Sequence, residues 1–264
     1  MLEFHNLSVA IGKKTILQQI NATVREQRLT VLVGPNGCGK STLLSCVNQQ
    51  RDYTGDITYE KAQLNRLSPR ERARKLAYLP QKVETPHITV AEYVALGRMP
   101  FLDFTGRLSE QDREIIHQAM IDADVVSIQN QYVHSISGGE LQRVNLAMIL
   151  TQNVHMALLD EPTAHLDQCR EEAYLQLLRE LIQNRQKTFL VVMHNLSTAL
   201  TYADDLMVMN QGGLLYTGPK DVCLQSNLLE DVFGLHRYIA ENNKVFFAAN
   251  SSGSEKSGQY CNNR

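Results

Sequence analysis

The segment GPNGCGKS, Gly34–Ser41, constrains the fold of this chain more than any other. It fits G-x-x-x-x-G-K-[ST], and it lies between an apolar run, Leu29 to Val33, and a helical stretch, Thr42 to Asn48. A strand, a glycine-rich turn and a helix in that order form a loop whose backbone N–H groups turn inward onto a phosphate. Glycine permits the turn because no Cβ blocks the approach. The helix N-terminus adds partial positive charge at the same point. On this reading Gly34, Pro35, Asn36, Gly37, Cys38, Gly39, Lys40, Ser41 and Thr42 cradle a nucleoside triphosphate. Lys40 reaches its β- and γ-phosphates, and the Ser41 hydroxyl ligates Mg²⁺.

Such a loop sits at the carboxyl edge of an open α/β sheet. Further apolar runs supply strands buried on both faces: Val154 to Leu159, interrupted by His155, and Phe189 to Met193. After Asp167, residues Tyr174, Leu177, Leu178, Leu181 and Ile182 keep helical spacing, with Arg170, Glu171, Arg179 and Glu180 expected on the solvated side. Leu206 to Met209 and Leu214 to Thr217 flank Asn210 to Gly213, a hairpin signal. Between about 82 and 152 the patterning is helical, around Ala91 to Leu96 and Glu110 to Ala123. The expected fold class is therefore α/β, a P-loop NTPase core with an inserted α-helical subdomain. Its boundaries read as 1–81 and 153–249 for the core and 82–152 for the insertion. Residues 250–264, rich in Ser, Gly and Asn, read as a disordered tail.

Composition narrows the function classes. The 26 Lys and Arg against 28 Asp and Glu leave a formal net charge of -2, so the basic excess of a nucleic-acid binder is missing. No apolar stretch approaches the roughly 20 residues of a membrane-spanning helix, and the N-terminus lacks the pattern of a secretory signal. Five cysteines, an odd number without paired metal spacing, fit free thiols in a reducing compartment. The chain is expected in the cytoplasm.

A second cluster of candidates lies at strand ends. ALLDEP, Ala157 to Pro162, ends an apolar run in two adjacent carboxylates whose side chains diverge. Asp160 suits Mg²⁺, and Glu161 is placed to orient the attacking water or accept its proton. His194, after the run TFLVVM, is placed to hydrogen-bond the γ-phosphate, and Gln81 to contact Mg²⁺ or the water through its amide. Taken alone, the acidic pair also reads as solvated strand-end acids, His194 as a core-edge histidine and Gln81 as a polar loop residue. The segment ISGGELQRVNLAMIL, Ile136 to Leu150, discriminates more sharply. Ser137, Gly138, Gly139 and Glu140 have capping-box spacing before an apolar helix, and the glycines let that helix start approach a ligand, a second anion site.

Taken together, these motifs resemble the ABC transporter ATPase family over about residues 2 to 240. GPNGCGKST resembles the Walker A loop, Gln81 the Q-loop, ISGGE the signature, ALLDE the Walker B strand, TAHLD (ending in Asp167) the D-loop, and His194 the switch histidine. The resemblance implies a mixed sheet in the core and an ATP hydrolase using Mg²⁺. Lys40, Gln81, Glu161 and His194 are then catalytic, and Ser41, Gln81 and Asp160 lie around the metal. It also implies that Ser137, Gly138, Gly139, Glu140 and Asp167 contact nucleotide bound by a second copy in a head-to-tail dimer.

The segment Ala91 to Phe104, with its LGR-x-P element, and Tyr78 to Gln81 before it look like the branch importing iron chelates (siderophore or haem) and cobalamin. That likeness implies a permease contact around Lys82 to Phe104, a substrate-binding protein reached through the permease, and a peripheral position on the cytoplasmic face of the membrane. Met99, Phe101 and Phe104 read equally as docking residues or as packing within the helical insertion. The alternatives in substrate are cobalamin or another metal complex; in class, an exporter motor or a soluble ATPase of the same type.

Two departures carry expectations of their own. Ile11 stands where the family usually has an aromatic residue that stacks on adenine, so weakened stacking is expected. Asn195 replaces the acid that often follows the switch histidine. Cys38, beside a helix start, is expected to have a lowered thiol pKa.

Overall fold

A computed structural model describes residues 1–164, 166–239 and 245–249. The tail expected over 250–264, and His165 of the TAHLD motif, lie outside the described residues. The chain opens with an antiparallel pair, β1 (Leu2–Ile11) and β2 (Lys14–Val24), followed by β3 (Leu29–Val33), α1 (Lys40–Val47), β4 (Thr54–Tyr59) and β5 (Ala62–Gln63). Then come α2 (Pro69–Ala73), β6 (Leu76–Leu79), α3 (Val90–Ala95), α4 (Glu110–Asp122) and α5 (Gly138–Leu150). The second half of the core adds β7 (Met156–Asp160), α6 (Gln168–Arg185), β8 (Thr188–Val192), α7 (Leu196–Tyr202), β9 (Asp205–Asn210) and β10 (Gly213–Pro219). A final antiparallel pair, β11 (Leu235–Ile239) and β12 (Val245–Ala249), lies outside the strands expected from the sequence.

The main sheet has the order β10-β9-β3-β8-β7-β6, parallel except for the antiparallel β9–β10 edge. Strict alternation explains why its strands read as continuous apolar runs. Val31, Val33, Leu159, Ala157, Phe189 and Val191 face a layer containing α5, α6 and α7. Leu32, Leu158, Met156, Leu190 and Val192 face the other way, onto α1 and the β2-β1-β4-β5 sheet. Both faces are covered, so both parities must be apolar. His155 stays exposed just before β7, which is why it interrupts the run without breaking the strand.

The helices between β6 and β7 have a core of their own, built from Val90, Tyr93, Val94, Ile116, Met120, Val133, Val144 and Ala147. Helix α5 belongs to both packing regions: Val144 and Ala147 face this cluster, while Leu146, Ile149 and Leu150 face the main sheet. Arg98 fastens the LGR-x-P segment to it. Its guanidinium donates to Asp112 Oδ1 at 2.8 Å and to Thr151 O at 2.9 Å, and lies 4.0 Å from the Phe101 ring centroid. Gly97 is required beside it, because a Cβ there would meet Thr151 Oγ1 at 1.9 Å. Phe101 is thus partly packed, whereas Met99 at 62% is exposed and Phe104 at 101% is fully presented to solvent.

Helix α6 corrects one expectation. Arg170 and Glu180 are exposed, but Glu171 is buried. Glu171, Tyr174, Leu178 and Leu181 follow i, i+3, i+7, i+10 spacing, so the carboxylate lies on the apolar face.

Candidate functional site

The loop after β3 takes its shape from close packing against β2 and the β9–β10 turn. Gly34 has no space for a side chain: a Cβ would lie 2.3 Å from Met209 O. Gly39, at φ 110°, precedes α1 in a conformation that favours glycine. Cys38 O accepts from Gly212 N at 3.1 Å, which ties the loop to the hairpin turn. Lys40, 5% exposed, folds back so that Nζ donates to Gly34 O at 2.8 Å and Pro35 O at 3.2 Å. A buried ammonium whose hydrogen-bond partners among the described residues are neutral carbonyls, at a helix start, is suited to receive an anion.

Across this loop, the Ser41 hydroxyl donates to Asp160 Oδ1 at 3.1 Å. Asp160 ends β7 and is buried, and burial pushes its carboxyl up from the ordinary aspartate value. The Ser41 hydrogen bond pulls it back down, while the charge of Glu161 pushes it up again. A hydroxyl and a carboxylate oxygen together form the hard-oxygen donor set that Mg²⁺ takes, so these residues fit that ion.

Glu161, one residue on, has φ 52°, an uncommon conformation outside glycine. The left-handed turn directs its side chain away from Asp160 and towards two other candidates. Gln81 Nε2 donates to Glu161 Oε2 at 2.6 Å, and His194 Nε2 lies 2.5 Å from Oε1. Gln81 comes from the loop after β6 and His194 from the loop after β8, the strands on either side of β7. The carboxyl ends of three neighbouring parallel strands therefore bring these side chains together, and β3 brings the phosphate loop beside them.

The residues of the ISGGE segment stand apart from this cluster. Ser137 caps α5 in a reciprocal capping box with Glu140, whose Oε2 accepts from Ser137 N at 2.8 Å. Gly138 has nothing within 4 Å of a built Cβ, while Gly139 faces the Arg170 side chain. Ser137, Gly139 and Glu140, with Arg143, Leu166, Arg170 and Tyr174, line a cavity of about 310 Å³, which none of the phosphate-loop residues reaches. Asp167 is engaged locally, accepting from Arg170 N at 2.9 Å as the N-cap of α6.

Two expectations change. The thiol of Cys38 is 4% exposed, and burial pushes its pKa up, outweighing the nearby Lys40 charge that pulls it down. Cys38 is therefore expected to react with iodoacetamide at least roughly tenfold more slowly than a free exposed thiol. Peptide mass spectrometry, with the exposed Cys169 as internal reference, checks this; equal rates at the two positions would contradict it. The second change is Glu171, which the sequence reading placed in solvent. Its carboxylate accepts from Thr163 Oγ1 at 3.1 Å, Asn195 Nδ2 at 3.1 Å and Thr198 Oγ1 at 3.2 Å. Its place on the apolar stripe of α6 was the available signal.

Known proteins match this chain over most of its length. The ABC transporter family model matches residues 17–164. The chain is 33% identical to the petrobactin import ATP-binding protein FpuD of Bacillus anthracis, covering 90% of this chain and 88% of that one. It is 35% identical to the hemin import ATP-binding protein HmuV of Shewanella denitrificans, covering 88% and 93%. Among solved structures, a metal-chelate type ABC transporter in an inward-facing conformation superposes with a TM-score of 0.79 at 23% identity, covering 93% of this chain and 95% of that chain. A bacterial ABC transporter cassette solved as a dimer gives 0.73 at 25% identity, covering 83% and 98%. With the α/β fold, the phosphate loop and the strand-end carboxylates in place, the chain belongs to the ABC transporter family and is an ATP hydrolase of that family.

Proposed function

We propose that this chain is the ATP-hydrolysing subunit of an importer for an iron chelate, a siderophore or haem. The observation that carries the catalytic part is Glu161 held between Gln81 and His194, beside the Ser41–Asp160 pair and the buried Lys40. Lys40 exchanges its two carbonyl partners for β- and γ-phosphate oxygens of ATP. Ser41 and Asp160, with Gln81 nearby, would hold Mg²⁺, which would neutralise charge on the phosphates. Glu161 orients water against the γ-phosphorus and takes a proton from it as the bond to the ADP oxygen breaks. A carboxylate has about four lone-pair positions, so the Gln81 and His194 contacts still leave room for that water. His194 hydrogen-bonds a γ-phosphate oxygen and Gln81 helps place the water.

Ser137, Gly138, Gly139 and Glu140 complete the site of a second copy. The support is that the capped start of α5 opens to solvent and away from its own phosphate loop. Asp167 lies beside that junction. Two ATP molecules then sit between two head-to-tail copies, and opening and closing of the pair drives the permease.

The permease contact falls around residues 82–104, where Met99 and Phe104 are exposed on a segment that Arg98 holds rigid. No helix among the described residues is long and apolar enough to cross a membrane, so attachment at the cytoplasmic face runs through that contact. A substrate-binding protein acts on the permease from the other side. At the adenine end, Ile11 is 49% exposed at the β1–β2 turn and offers an aliphatic edge rather than a ring.

Reconstitution with the permease pair in vesicles tests the substrate assignment. Binding protein loaded with a ferric siderophore or haem is expected to stimulate ATP hydrolysis several-fold, a modest allosteric coupling of about 1 kcal/mol. Stimulation by cobalamin alone would overturn the iron-chelate assignment while leaving the importer intact. A chain that hydrolyses ATP but associates with no permease would overturn the importer reading.

A further inference from the structure

We infer that Glu171 and Asn195 form a couple that positions His194 for reaction, which rests on the reading of His194 as the γ-phosphate contact. His194 leaves the end of β8 exposed; its side chain meets Glu161 Oε1 at 2.5 Å, and its backbone is set by the residue that follows. The next residue, Asn195, is fixed at both ends. Its Oδ1 accepts from Thr198 N at 3.2 Å, capping α7, and its Nδ2 donates to Glu171 Oε2 at 3.1 Å. The two contacts define the amide orientation, because only the oxygen can accept from a backbone N–H and only the nitrogen can donate to a carboxylate.

Glu171 in turn is anchored elsewhere. Its other oxygen, Oε1, accepts from Thr163 Oγ1 at 3.1 Å, and Thr163 lies two residues after Glu161. Thr198 Oγ1 adds a third bond at 3.2 Å. The three donors and the first turn of α6 account for a carboxylate buried to 9% exposure with no side-chain cation bonded to it among the described residues. One carboxylate thus ties the segment after Glu161, the start of α6 and the segment after His194 into a single unit. The relative position of Glu161 and His194, 2.5 Å apart, depends on that unit.

Charge pattern makes the couple directional. An acid at 195 keeps the α7 cap, since Asp caps as well as Asn. It also sets a second carboxylate against Glu171, where like charges in hydrogen-bond contact repel. Exchanging the two chemistries, with Gln at 171 and Asp at 195, restores an amide-to-carboxylate hydrogen bond in reverse.

The test is steady-state ATP hydrolysis by the full chain carrying Asn195→Asp, Glu171→Gln, both together, or His194→Ala, with thermal unfolding measured alongside. Asn195→Asp is expected to lower kcat roughly tenfold or more, with KM for ATP and the unfolding temperature little changed, because misplacing a group by a fraction of an ångström acts on the transition state. Glu171→Gln alone, which keeps an amide oxygen for Asn195, lowers kcat less. The double exchange is expected to recover kcat to within about threefold of wild type, as coupled neighbours are non-additive. If His194→Ala is inactive but Asn195→Asp keeps wild-type kcat, or the double exchange is no better than Asn195→Asp, the couple does not position His194. If His194→Ala itself hydrolyses ATP at the wild-type rate, the role of His194 fails instead, and the couple has nothing to position.

Discussion

Glu161→Gln is expected to bind MgATP with wild-type affinity and to hydrolyse it roughly 10²- to 10⁴-fold more slowly, the range that a general base contributes. The substitution keeps size and shape. A glutamine oxygen still accepts from His194 Nε2, and Gln81 can rotate its amide to present an oxygen to the new NH₂ group. The lost property is the ability to take a proton from water. Phosphate release under single-turnover conditions, paired with a nucleotide-binding titration, separates the two effects. Hydrolysis near the wild-type rate would show that some other group activates the water.

Lys40→Ala has the opposite signature. It removes the one buried ammonium in the phosphate loop, whose Nζ lies within hydrogen-bond distance of Gly34 O and Pro35 O. A charge-assisted hydrogen bond contributes about 1.5–3 kcal/mol, so ATP affinity is expected to fall roughly 10- to 150-fold. ADP, which lacks the γ-phosphate, should lose less. Calorimetric titration with both nucleotides checks the pair of values. Equal weakening for ATP and ADP would mean that Lys40 acts on the β-phosphate or the loop conformation alone.

Much of the fold was legible because its strands are buried on both faces. Leu29 to Val33 is β3 to the residue, and β7 and β8 lie within two residues of their apolar runs. The helix expected after Asp167 begins at Gln168 because Asp167 caps it. The β11–β12 pair is hard to read because Leu235–Ile239 lacks regular alternation and Val245–Ala249 is apolar throughout, although Asn242 and Asn243 between them are turn-forming residues. Within the site, spacing identified residues but not their contacts. The clamp of Gln81 and His194 on Glu161 depends on the positive φ of Glu161 and on the order β6-β7-β8, neither of which is written in any local motif. Glu171 departs from the expectation because a charged residue near a helix start is usually solvated, and two of its three partners, Asn195 and Thr198, come from beyond the next strand. The thiol of Cys38 was misjudged for a related reason: the motif shows the helix dipole but not the burial that outweighs it.

The central claim is that each ATP site is shared, with Lys40 from one copy and the Ser137–Glu140 segment from the other. Mixing two inactive chains tests it directly: Lys40→Ala, which lacks a working phosphate loop, and Gly139→Asp, which places a carboxylate at the second anion site. In a mixed head-to-tail pair both lesions fall in one site, leaving the other wholly wild type. A 1:1 mixture is then expected to regain about a quarter of wild-type hydrolysis, since about half the pairs are mixed and each has one intact site of two. A mixture as inactive as its parents would mean that each copy builds its site alone, and the shared-site account would be wrong.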